Sequence, residues 1–280
     1  MSAYLNIICW SILCFVTCWL IKERYVDDYT HRKKKSKPTN QLVLTYNIQR
    51  LPWSLKPICF LRPLIRSHSI VLLQECFSNV LYDDIQHTFH EYHIVKGVMT
   101  GVTLVNSGLV ILSKYPILSH TFVPFDVQDY LSTDALSEKG FLVAEIRVKQ
   151  TTFFIINTHL QASFQRNSPH VVSSKQLQQL MAYVETLAHP FVIGGDFNMD
   201  HGEIPISLKR ALTIFAPSQP TIYIQYDSEG TELNTSCKPA PYHQSFCYDY
   251  FLSHQMMLSP PQVMTFDYSD HAPVRTSLLL

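Results

Sequence analysis

Six stretches of this chain each end an apolar run on a side chain able to bind a cation or move a proton. "LTYNIQ" reaches Asn47, "IVLLQECF" reaches Glu75 and "FFIINTHLQAS" reaches His159. "FVIGGDFNMD" supplies Asp196 and Asn198, "CYDYFL" supplies Asp249, and "FDYSDHAPV" supplies Asp270 and His271. Oxygen donors such as Glu75 and Asn47 suit Mg²⁺, or Mn²⁺ in its place, an ion held by few protein groups that keeps room for waters and phosphate oxygens. Two histidines beside such an ion can serve as base and acid for water attacking a phosphodiester. The 191–200 stretch is the most pointed. The chain has only 8 glycines, yet two stand together here. A Gly pair closing a strand predicts a sharp turn. An extended backbone would then point Asp196 and Asn198 the same way, at the carboxyl end of a strand, where open α/β sheets keep ligands. A single histidine at a strand end is usually structural; six such ends in one chain indicate a site.

The elements that must position these groups are short and β-rich, at 42–46, 70–73, 109–112, 141–148, 152–157, 191–193 and 248–251. Helical spacing of Leu177, Leu180, Met181 and Val184 predicts a helix over 173–187, and a second is expected over 79–90. Strands interspersed with helices over 40–280 indicate one α/β domain.

Ahead of it, residues 3–21 carry no charge over 19 positions and read as a transmembrane helix within an anchor at 1–22. A basic linker at 23–39, including "HRKKKSK", follows. It places the domain on the cytoplasmic side by the positive-inside rule and suits anionic lipid headgroups. The first 37 residues hold seven basic and three acidic side chains, leaving 15 basic and 19 acidic over 38–280, a net of −4. That sign offers no overall attraction to nucleic acid, so no specific nucleic acid is expected as a partner. No zinc-type cysteine spacing exists among Cys59, Cys76, Cys237 and Cys247. A Cys237–Cys247 disulfide and the sequon at Asn234 would require the opposite, luminal topology, which stays open.

Asn47, "QE" at 74–75, "SGLVILS" at 107–113, "THL" at 158–160, "GDFN" at 195–198 and "SDH" at 269–271 resemble the ordered motifs of the exonuclease–endonuclease–phosphatase superfamily. The resemblance covers 41–279. It implies a four-layer sandwich of two mixed β-sheets flanked by helices (α/β), and metal-dependent cleavage of phosphate esters. "THLQAS", "SKQLQQL" and "TDALSEKGFLVAEI" are similar to segments of neutral sphingomyelinases, the last with Asp134 and Lys139 five apart. In that family this pair is thought to exchange partners as the site forms. The resemblance implies Mg²⁺ on Glu75 and Asn47, and His271 as the general base oriented by Asp270. Asp196 and Asn198 would touch phosphate and nucleophile, while His159 would stabilise the pentacovalent oxygens or assist the departing oxygen, with Lys139 supplying charge there once released from Asp134. Asp249 is expected behind these groups as support.

The expected function is therefore Mg²⁺-dependent hydrolysis of sphingomyelin, a membrane lipid, to ceramide and phosphocholine. Alternatives are a phosphoinositide phosphatase or nuclease of the same fold, and an inactive membrane-bound scaffold. Secreted bacterial sphingomyelinases are expected to dip an aromatic hairpin into the bilayer; no tandem-Trp equivalent lies between Asp200 and Cys247. The N-terminal span would supply membrane residence instead. Over 51–67, Trp53, Phe60 and three cations fit a packed helix with a polar outer face, or contact with the membrane interface.

Overall fold

Side chains two residues apart on a strand share a face, and this alternation decides how the layers stack. The computed structural model describes residues 41–280 apart from 52–53, 55, 99–102, 131, 164–169 and 206–211. In chain order the first strands are β1 (Gln41–Arg50), β2 (Ile70–Cys76), β3 (His93–Lys96), β4 (Val110–Ser113) and β5 (Ile117–Pro124). Next come β6 (Gly140–Val148), β7 (Thr151–His159), β8 (Phe191–Asp196), β9 (Thr213–Phe215) and β10 (Ile222–Tyr226). The last are β11 (Glu232–Ser236), β12 (His243–Phe246), β13 (Asp249–His254), β14 (Gln262–Val263) and β15 (Val274–Leu278). Helices are α1 (Arg62–Arg66), α2 (Asn79–Thr88) and α3 (Val171–Val184).

One six-stranded sheet has the order β14-β15-β1-β2-β4-β3 and the other β5-β6-β7-β8-β13-β9; β11-β10-β12 form a small third sheet. Both large sheets are mixed, because β1·β2 and β7·β8 are parallel while their other pairs are antiparallel. Ile70 and Leu72 of one sheet pack with Phe153, Ile155, Val192 and Phe251 of the other, forming a dry interior between the sheets. The outer face of the first sheet is covered by Leu64 and Ile65 of α1 and Leu81 and Ile85 of α2. Leu177, Leu180 and Val184 of α3 cover the outer face of the second. The expected four layers are therefore present.

The helix over 79–90 is observed as Asn79–Thr88, begun by Ser78, whose hydroxyl accepts from Leu81 N–H. The helix over 173–187 runs Val171–Val184. Among the described residues of 51–67, a 3₁₀ turn (Ile58–Leu61) leads into α1, and Ile58, Leu61, Leu64 and Ile65 are buried against the first sheet, leaving Phe60 exposed. One expectation is corrected. Gly194 and Gly195 make no turn; both lie within β8 because neighbours press on them. A Cβ at Gly195 would stand 2.0 Å from the Thr158 carbonyl oxygen, and one at Gly194 would stand 2.7 Å from Leu72 of the opposite sheet. Cys237 and Cys247 are both free thiols, so no disulfide joins them. The expected span and basic linker lie outside the described residues; among the described residues no helix is long and apolar enough to cross a membrane.

Candidate active site

The site is the polar end of the same side-chain rows that build the interior between the sheets. On β7 the row of Phe153 and Ile155 continues as Asn157 and His159; on β13 Asp249 continues the row of Phe251. Strand register then aligns the ends: His159 lies opposite Asp196 on β8, and Asp249 lies opposite Asp196 from the other side. From the first sheet Asn47 projects between them. Its Nδ2 donates to Glu75 Oε1 at 2.9 Å and to Asp196 Oδ2 at 3.0 Å.

Alternation along β2 would send Glu75 away from the interior, since Gln74 faces it. Glu75 reaches the site because its backbone is left-handed, φ 61°. Gly108 permits this: a Cβ there would stand 3.1 Å from Glu75 Cα and clash with Phe77. Gln49 (φ 47°) and Asn198 (φ 47°) are left-handed too. Such conformations cost on the order of 1–3 kcal/mol each in a non-glycine residue and persist where the surroundings over-determine them, often at functional sites.

His271 is buried, with Nδ1 donating to Asp249 Oδ2 at 2.8 Å and Nε2 3.5 Å from Asp196 Oδ2. Burial opposes its imidazolium, but the charges of Asp249 and Asp196 prevail and hold its pKa well above the usual histidine value. His159 Nε2 lies 3.6 Å from the same Asp196 oxygen. Here burial, aided by the Lys139 charge, wins and lowers the pKa to about 3, so His159 is a neutral imidazole. Its Nδ1 is buried without a partner. Lys139, 2% exposed, pairs with Asp134 Oδ2 at 3.2 Å; that carboxylate also accepts from Ala162 N–H, just past His159.

Three more sequence expectations change in detail. Asp270, expected to orient His271, faces the other way, accepting from Gln49 Nε2 at 2.9 Å and from the Thr235 hydroxyl. Asp249 takes its place, because adjacent residues point to opposite faces and only His271 faces inward. Asn198 does not lie beside Asp196 on an extended backbone. Its left-handed turn lets its N–H donate to Asp196 Oδ1, and its side chain donates to the Leu160 carbonyl. Asn47 also differs from its expected role as an oxygen ligand: Gln49 N–H occupies its Oδ1, so its amide nitrogen faces the carboxylates.

Sequence reasoning missed the supports. Gln74 donates to Asn157 Oδ1 across the sheets at 2.7 Å, and Asn157 Nδ2 donates to the carbonyls of Leu73 and Val110. Two amides within otherwise apolar strands were the available signal. The Thr221 hydroxyl accepts from Asp249 N–H, while its carbonyl accepts from Ala272 N–H, coupling the two sides of the His271–Asp249 pair. Beside Asp270 opens a cavity of about 550 Å³ lined in part by Lys56, Phe60, Thr235, Lys238 and Tyr268.

The donor set fits a hard cation. Burial, with the Asp270 charge, pushes the Glu75 carboxyl up to about 7 against the Asn47 hydrogen bond. Asp196, Asp249 and His271 also bring ligand atoms within 4.8 Å of one another, a grouping that could hold a metal ion. Because the His271–Asp249 bond already uses two of those groups, oxygen coordination centred on Glu75 suits Mg²⁺ better.

A family model matches residues 44–271, across every strand that carries these groups. The chain belongs to the Endonuclease/Exonuclease/phosphatase family. Within it, the chain is 24% identical over 190 residues to Sphingomyelinase C of Bacillus cereus, covering 56% of each protein. It is 28% identical over 153 residues to a sphingomyelinase of Dictyostelium discoideum, covering 48% of this chain and 32% of that one. The chain thus spans about half the length, or less, of these curated relatives. Solved structures share the fold. Beta toxin of Staphylococcus aureus superposes with a TM-score of 0.69 at 19% identity, covering 84% of this chain and 99% of that one. Sphingomyelinase C of Streptomyces griseocarneus gives 0.62 at 19%, covering 85% and 99%.

Proposed function

We propose that this protein is a Mg²⁺-dependent sphingomyelin phosphodiesterase that releases ceramide and phosphocholine. The observation that carries the chemistry is the convergence of His159 and the Asp249–His271 pair on Asp196, which Asn47 bridges to Glu75. The substrate rests on similarity to sphingomyelinases from two organisms and on the Asp134–Lys139 pair beside His159. Glu75, its carboxylate positioned by Asn47, would hold the Mg²⁺, which supplies charge neutralisation for the phosphate. His271 Nε2 takes the proton of the attacking water, and Asp249 stabilises the resulting imidazolium through Nδ1. Water adds to phosphorus, the bond from phosphorus to the ceramide oxygen breaks, and that oxygen takes a proton from solvent water while His271 returns its own to solvent. His159, neutral as placed, donates a hydrogen bond from Nε2 to the phosphoryl oxygens rather than a full charge. Lys139, paired with Asp134, stands next to it, its Nζ 3.4 Å from the Leu160 carbonyl. Residues 3–21 would anchor the chain in the membrane, the basic linker would lie on anionic headgroups, and the domain would face the cytoplasm.

A phosphoinositide phosphatase or a nuclease would share the metal site; the net −4 of 38–280 weighs against a nuclease. The test offers the full chain sphingomyelin, a phosphoinositide and single-stranded DNA in mixed micelles, with Mg²⁺ and with EDTA, alongside His271→Ala. Phosphocholine release that needs Mg²⁺ and disappears in the variant is expected. Turnover of the phosphoinositide or DNA alone would discard the sphingomyelinase reading, and no turnover at all would favour a scaffold.

A further inference from the structure

One face of the small third sheet is turned toward the catalytic groups. Residues paired across a ladder share a face, and the register pairs Ile222 with Phe246, Ile224 with Thr235 and Tyr226 with Glu232. Alternation along β10 puts Ile222, Ile224 and Tyr226 on the same side. A register shift between the Gln225 and Tyr226 pairs passes over Leu233 and keeps Glu232 on that side. Ile222 and Ile224 are buried there with Tyr248, and Tyr226 and Phe246 pack beside them. Thr235, on this face, donates its hydroxyl to Asp270, the neighbour of His271.

Beyond Thr235 the face ends in a corner of three rings and one carboxylate. Tyr226 and Phe246 stand at 82° with centroids 6.3 Å apart, and Phe246 lies 5.2 Å from Tyr248. Tyr248 is 9% exposed, and its hydroxyl, near Tyr226 and Glu232, has no hydrogen-bond partner among the described residues. Glu232, opposite Tyr226, lies about 7 Å along the ladder from Thr235. Its carboxylate has no hydrogen-bond or ion-pair partner among the described residues; burial, then the Asp270 charge, raise its pKa, with Asp134 adding to this and His271 opposing it. Glu232 therefore borders the site as a half-buried anion that lacks a cation of its own. A quaternary ammonium suits such a corner: it has no N–H to satisfy, it is drawn to ring faces, and it offsets the carboxylate charge.

We infer that this corner receives the trimethylammonium end of a phosphocholine headgroup, with Glu232 as its counter-ion and Tyr226 and Phe246 as its walls. This rests on the sphingomyelinase reading above. Charge decides the side on which the headgroup lies. Past Thr235 the chain lines the cavity of about 550 Å³, which carries Lys56 and Lys238 and repels a cation. At the start of β11, Glu232 stands within electrostatic reach of Asp270, His271 and Asp134. A phosphate held at His271 would then have its ammonium directed to the acidic, aromatic end of the small sheet. The same carboxylate disfavours a phosphoinositide, whose headgroup is anionic throughout.

The experiment measures binding by calorimetry to the full chain with Mg²⁺, comparing phosphocholine with neohexyl phosphate, which has the same shape with carbon in place of the ammonium nitrogen. The wild-type chain should bind phosphocholine at least about tenfold more tightly, and Glu232→Gln should bring the two within about threefold. Equal affinities in the wild type, no binding of phosphocholine, or an unchanged ratio in Glu232→Gln would overturn the inference. Phe246→Leu keeps an apolar side chain without the ring, and should weaken phosphocholine more than neohexyl phosphate; equal weakening would remove the ring from the subsite. Sphingomyelin turnover by the wild-type chain, run in parallel, tests the reaction separately. Discrimination without turnover would sink the sphingomyelinase reading and keep the subsite, whereas turnover without discrimination would sink the subsite alone.

Discussion

Asp249→Asn separates the observed arrangement from the one the order Asp270-His271 suggests. Asp249 is fully buried, and its Oδ2 accepts from His271 Nδ1 at 2.8 Å. In the variant an amide N–H would face Nδ1, driving the histidine proton to Nε2, where a base needs a lone pair. Losing the carboxylate that fixes a catalytic histidine's tautomer costs about 3–5 kcal/mol of transition-state stabilisation. At about 1.4 kcal/mol per decade, that predicts a kcat about 10²–10⁴-fold lower. The pH profile provides a second readout. A base works deprotonated, so activity rises with pH through the His271 pKa, which the Asp249 charge raises. Removing that charge should move the acid limb of kcat to lower pH. Asp270→Asn, whose partners are Gln49, Thr235 and Ser269, should cost far less and leave the limb in place. Phosphocholine release from mixed micelles across pH 5–9 measures both, with about that range set by histidine titration. A larger loss in Asp270→Asn, or an acid limb unmoved in Asp249→Asn, would refute the reasoning.

Three other outcomes follow from the geometry. Gly195→Ala would place a Cβ 2.0 Å from the Thr158 carbonyl oxygen, and overpacking in a well-packed core should lower stability by about 1–3 kcal/mol or more; a melting temperature equal to wild type would count against the close approach. His68 is buried, with Nδ1 on the Leu64 carbonyl and Nε2 without a partner, and burial lowers its pKa to about 4. Its folded value lies below the unfolded one, so the unfolded chain takes the proton first and stability falls as pH drops from about 6.5 toward 4; the loss between pH 7 and 5 is about 2 kcal/mol. His68→Gln should flatten that part of the urea-denaturation profile. Glu75 holds its proton up to about 7, so Mg²⁺ affinity measured by calorimetry should weaken steadily below pH 7, and Glu75→Gln should remove most of this dependence.

What was legible in the chain was the list of functional groups and the layers that carry them. Apolar runs of strand length mark the interior rows, and a polar residue ending such a run must lie at the edge of the core; Asn47, His159 and Asp196 are where that logic puts them. The segment 202–246 was unreadable because its strands are short and half-exposed, giving weak alternation, yet it supplies Thr221 and Thr235. Similarly, a glycine needed for close packing looks in sequence like one needed for a turn, so Gly194 and Gly195 were misread. The sequence by itself determined which residues could do chemistry and that strands interspersed with helices would hold them, while the two mixed sheets were implied only by the family resemblance. Only the tertiary structure decided which partner each one has. Glu75 enters the site through a left-handed backbone that strand alternation does not foresee, and Asp249 rather than Asp270 holds His271, because that pairing depends on the antiparallel register of β13 with β8. Registers and turns join residues distant in the chain, and local spacing carries no record of them.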